Sequence, residues 1–131
     1  MTRNRLLPLV VGVALLATAT LVRAHHSEIA EFDPDKPVKV SGTLKNVEWQ
    51  NPHVWFYVEV KEPDGSLTTW GFSTAPPGAL IRRGVTKANF KIGEVVLVEG
   101  ARARDGSTNA STRRVTFADG RNVLTPTEGG R

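Results

Sequence analysis

Between residues 53 and 60, large apolar and polar side chains alternate one for one. Val54, Phe56, Val58 and Val60 form one set, and His53, Trp55, Tyr57 and Glu59 form the other. A period of two places one set on each face of a strand, with the apolar set turned to a core. A chain built on such segments is restricted to β architectures whose sheets bury one face.

The pattern recurs on both sides of that strand. Val38, Val40, Gly42 and Leu44 alternate, and the parity then shifts to Val47 and Trp49, as expected for a long first strand bent at a bulge. Pro63-Asp64-Gly65-Ser66 has hairpin chemistry and returns the chain into Leu67 to Ser73, with Trp70 and Phe72 on one face. Ala75-Pro76-Pro77-Gly78 ends the sheet. Ala79 to Arg83 fits one or two helical turns closed by Gly84, and Thr86 caps a further turn to Phe90. Val95, Val96, Leu97 and Val98 read as a strand buried on both faces. Thr112 to Ala118 is a fifth strand with Val115 and Phe117 inward, and Asp119-Gly120 folds back onto Val123 and Leu124. The order β-β-β-α-β-β predicts an all-β domain with one short helix, a five-stranded OB-fold-like Greek-key barrel. A β-sandwich needs more strands than the sequence supplies.

Residues 1–24 read as a cleavable signal peptide. Arg3 and Arg5 precede the apolar run Leu6 to Val22, and Val22-Arg23-Ala24 offers a cleavage site. The run is shorter than the roughly 20 predominantly apolar residues of a spanning helix, so a stable membrane anchor is not expected, and the expected location is the periplasm or the medium. The segments that follow are an extended lead-in at 25–37, the barrel at 38–124 and a disordered tail at 125–131. The chain has no cysteine, which excludes a lipoprotein anchor and a disulfide scaffold. Its formal charge of +4 includes Arg3, Arg5 and Arg23; setting those three aside leaves +1 for the remaining 107 of 131 residues. Nucleic acid, which needs a basic face, is therefore not an expected partner.

Three histidines offer the most specific chemistry. Cleavage after Ala24 would give His25 a free α-amine beside its imidazole. That amine and ring, with a second imidazole, form a histidine brace, an arrangement suited to Cu(II) and its tetragonal nitrogen ligation. His26 offers a chelate of its own, and His53, held just after Pro52, is the natural third ligand. The expected metal ligands are thus His25, His26 and His53, and the expected cofactor is copper. The competing reading makes the first two polar surface and His53 a hydrogen-bonding residue that closes its turn. A second candidate site is the outer face of the second strand, where Trp55 and Tyr57, with Trp70 on the neighbouring strand, could take an organic ligand or another periplasmic protein.

No catalytic set accompanies these residues. Glu48 and Glu59 are separated by a bend, no serine sits in a nucleophile motif, and glycine-rich phosphate loops are absent. Arg82-Arg83 and Arg113-Arg114 read as solvated basic pairs. The one coherent enzymatic version is a copper oxidase of the brace type, for which 107 residues leave little substrate platform. A binding module is the expectation.

His25-His26-Ser27, Gly42-Thr43-Leu44, the run Val47 to His53 with its Trp-x-Asn-Pro-His core, Trp70, and Gly93 to Gly100 together resemble a family of small exported bacterial proteins of unknown function. The resemblance implies a periplasmic location and a small β-barrel, and brings no catalytic residues with it.

Overall fold

The computed structural model describes residues 30–124. The chain divides into two compact units, residues 1–31 and 32–131, and every strand among the described residues lies in the second. The signal at 1–24 and the tail at 125–131 both fall outside the described residues, as do His25 and His26.

The elements are β1 (Phe32–Glu48), β2 (Trp55–Lys61), β3 (Leu67–Ser73), α1 (Pro77–Arg82), a 3-10 turn (Lys87–Asn89), β4 (Val95–Ala103), β5 (Asn109–Phe117) and β6 (Asn122–Val123). The sheet order is β3-β2-β1-β4-β5-β6, and β3 also pairs with β5. That added pairing is parallel, joining Gly71, Phe72 and Ser73 to Asn109, Ala110 and Ser111. It closes five strands into a ring. The fold is mostly β with one short helix among the described residues, and its topology is that of an OB-fold-like barrel.

β1 serves both seams. Its first part, from Phe32 to Thr43, pairs with β4, and its last part, from Thr43 to Glu48, pairs with β2. The expected bulge lies where the parity shifts, between Leu44 and Asn46, and it lets Leu44 and Val47 both turn inward and be buried. The strand begins earlier than residue 38 because Phe32 finds a partner in Ala103, across an irregular stretch that accommodates Pro34 and Pro37.

The core holds Leu44, Val54, Phe56, Val58, Phe72, Val96, Val98, Ala110, Val115 and Phe117, all almost wholly buried. Leu80 of α1 and Phe90 after the 3-10 turn close one end, with Phe90 5.8 Å from the Phe56 ring and 6.5 Å from Trp49. Trp49 of the Trp-x-Asn-Pro-His segment therefore seals the barrel. β4 departs from expectation: Val96 and Val98 are buried, but Val95 is 51% exposed and Leu97 is half-buried. A barrel wall has one inner face, and among the described residues no layer of helices covers the outer face of this strand, so the strand alternates like the others.

Candidate functional site

His53 sits just before β2, after a cis Asn51–Pro52 peptide. The β2–β3 ladder continues past Trp55 and Ser73 through Thr74 N–H to the Val54 carbonyl (2.9 Å) and Val54 N–H to the Ala75 carbonyl (3.2 Å). The His53 ring adds to this extension: its Nδ1 lies 2.8 Å from the Thr74 carbonyl oxygen. A carbonyl only accepts, so Nδ1 is the donor, and the tautomer that this bond selects carries its lone pair at Nε2. This bond closes the turn. It also leaves the ring oriented as ligating histidines are, with one nitrogen anchored to the backbone and the other available.

Trp55 and Tyr57 follow on the same face, two and four residues on. Their ring planes lie 19° apart with centroids separated by 6.5 Å. Tyr57 hydroxyl donates to Glu48 Oε2 at 3.1 Å, and Glu48 reaches it from the end of β1, directly across from Trp55. Burial, and then the hydrogen bond and charge of Glu48, raise the Tyr57 phenol above its ordinary value. Both rings lie over Gly71, the cross-strand partner of Tyr57. A methyl group there would meet Asn109 Oδ1 at 2.6 Å, Tyr57 Cε1 at 3.3 Å and Trp55 Cζ3 at 3.5 Å. The missing side chain is what lets the aromatic pair settle onto the wall.

Part of this face is already covered. Phe32, Ala101 and Ala103 form a second buried cluster, and Trp55 packs against it. Cross-strand partners share a face, and the chain of partners Trp55–Ser73–Ser111–Ala101 puts this cluster outside the barrel. The start of β1 thus folds over one side of the Trp55 ring.

Trp70 is not part of that face. Its partner on β2 is Val58, so it points to the core side, where it stacks 6.1 Å from Phe72 and joins the main cluster. The Arg102 guanidinium lies 5.6 Å over its ring, tethered to the carbonyls of Ser107 and Gly106. Trp70 caps the core. The structure brings together His53, Trp55 and Tyr57, and separates Trp70 from them.

Glu48, Gly71 and Asn109 complete the outer face, and the sequence reading assigned none of them to it. The usable signal was Gly71, a glycine inside a strand between two aromatic residues, which marks a close approach. Among the described residues, no three His, Asp or Glu side chains are grouped to hold a metal ion.

The model of a family of unknown function, DUF6152, matches residues 13–112. No curated protein matches the chain.

Proposed function

The chain belongs to this family of unknown function, and from that premise we propose that it is a small exported binding module that takes up a metal ion, Cu(II), through His25, His26 and His53. The observation that carries the reading is the His53 ring, anchored at Nδ1 by Thr74 with Nε2 left for a ligand bond. The remaining donors would be the amine and imidazole of His25, once exposed by cleavage after Ala24, and the His26 ring. Chain length permits this. Five residues separate His26 from Phe32, a span of up to about 20 Å when extended, and Phe32 packs on Trp55, two residues from His53. Nitrogen donors without thiolate or thioether favour Cu(II) over Cu(I).

The test compares a chain starting at His25 with one carrying a single extra N-terminal residue, both titrated with Cu(II). The visible band and tryptophan emission report binding. Tight binding is expected for the first form alone, and is expected to be lost in His53→Ala. Equal, weak binding in the two forms removes the model.

A second reading rests on a different observation, the stacked Trp55–Tyr57 pair lying over Gly71 beside Glu48 and Asn109. An apolar ring surface with a carboxylate at its edge suits a small organic ligand or a partner's side chain. Saturable quenching that disappears in Trp55→Phe, with no metal present, would favour it.

A further inference from the structure

β5 contains one residue more than the strand it faces. Its Thr112 pairs with Gly100 and its Arg114 with Glu99, so Arg113 is the extra residue of a β-bulge. Consecutive strand residues normally point to opposite faces. Here Val115 is buried in the core, Arg114 is outside with its partner Glu99, and the bulge leaves Arg113 outside as well. The bulge requires Gly100: a Cβ at that position would overlap the Ser111 carbonyl oxygen.

The result is an open groove of about 460 Å³ lined by Pro37, Val38, Lys39, Glu99, Gly100, Arg113 and Arg114. That volume lies within the ~300–1,000 Å³ range of small-molecule sites. Its charges are uneven. Glu99 is shared between Lys39 and Arg114, each 3.7 Å away, while Arg113 reaches only the neutral carbonyl of Pro34, at 3.5 Å. Three cations against one carboxylate leave two positive charges beside an apolar lining of Pro37, Gly100 and the part of Val38 that its packing on the main core leaves uncovered.

We propose that this groove binds an anionic amphiphile, with a carboxylate or phosphate head held by Arg113, Arg114 and Lys39 and an apolar chain lying over Val38 and Pro37. Two adjacent guanidiniums present forked donors that match either head group. Glu99 acts as the resident counter-ion that the incoming anion displaces. The proposal is independent of the histidines, and a failure of either reading leaves the other standing.

Octanoate and octyl phosphate are the probes, titrated into the ¹⁵N-labelled full-length chain while the Gly100 and Val38 amide resonances are followed. Acetate, inorganic phosphate and octanol serve as controls lacking either the chain or the charge. The expected result is a saturable shift with at least one amphiphile, at least tenfold weaker with each control. Whichever amphiphile binds more tightly identifies the head group. Arg113→Ala/Arg114→Ala is expected to weaken binding at least tenfold, and Glu99→Gln to tighten it several-fold. No saturable shift, an equal response to octanol, or a response confined to the small anions would overturn the proposal. Should the double variant fail to fold, Glu99→Gln decides alone: unchanged or weaker binding counts against the groove.

Discussion

Tyr57 is the single tyrosine of the chain, so its ionisation can be followed by phenolate absorbance without interference. Burial and Glu48 both hold the proton on the phenol. Glu48→Gln removes the charge and keeps an acceptor, so the phenol is expected to titrate at lower pH while staying above its usual value, because burial is the larger cause. The sign for stability follows. A raised phenol pKa contributes stability that is fully present below the unfolded value and is lost as pH rises through the folded one. Unfolding by denaturant should therefore show a decline on the alkaline side of pH 10 that is shallower in Glu48→Gln. Phe32 offers a packing test at the same scale. Phe32→Ala empties the small outer cluster, with a cost of about 3 kcal/mol by analogy with other buried phenylalanines. Trp55 emission should move to the red in the folded state, and that change should vanish in a Trp55→Phe background. An unmoved emission spectrum would mean that Phe32 does not cover the ring.

At the scale of elements, three turns share one device. Asp64, Asp105 and Asp119 each accept the backbone N–H two residues on, at 2.9, 2.9 and 3.0 Å, and a glycine with positive φ stands between. The Ser66 hydroxyl and the Arg121 guanidinium add side-chain hydrogen bonds to Asp64 and Asp119, the largest cause there, and all three carboxyls lie below their ordinary value. Lowered carboxylate values contribute stability present above the unfolded pKa and lost as pH falls through the folded one. The melting temperature is expected to drop as the pH is taken below 4, less steeply in Asp105→Asn; an identical slope would show that the turn carboxylate is not involved. The turns at Asp64 and Asp119 were legible in the sequence, as were the alternating strands and the bend after Leu44, because each is written in local chemistry. The rest depends on partners distant in the chain. Asn109-Ala110-Ser111 carries no strand-like run, and it extends because β3 and β4 lie on either side of it. Trp70 could be assigned to the core only once the register had placed it across from Val58. Nothing in the string Thr112 to Val115 marks Arg113 as an insertion, since the count that reveals it belongs to β4. At the candidate site, His53, Trp55 and Tyr57 were visible from parity, whereas Glu48 and Asn109 arrive from other strands.

For the whole molecule, the ring of five strands implies a graded resistance to opening. β1 and β4 are paired along most of their length and carry the central core residues, whereas β6 is two residues long and pairs with β5 alone. Amide exchange is expected to be slowest in Val40, Leu44, Val96 and Val98, and fastest among strand residues in Asn122 and Val123; early exchange in β1 would contradict the two-seam architecture. That architecture also sets a clock. Phe32 must wait for Ala103, 71 residues further along the chain, before the seam with β4 is complete, and β3 must wait for Asn109 before the ring can close. Both closures join residues far apart in the chain, so folding belongs to the slow class of β-barrels, milliseconds to seconds, rather than microseconds. During that interval only the last part of the first strand has a partner, in β2, and its first part stays unpaired until β4 has been made.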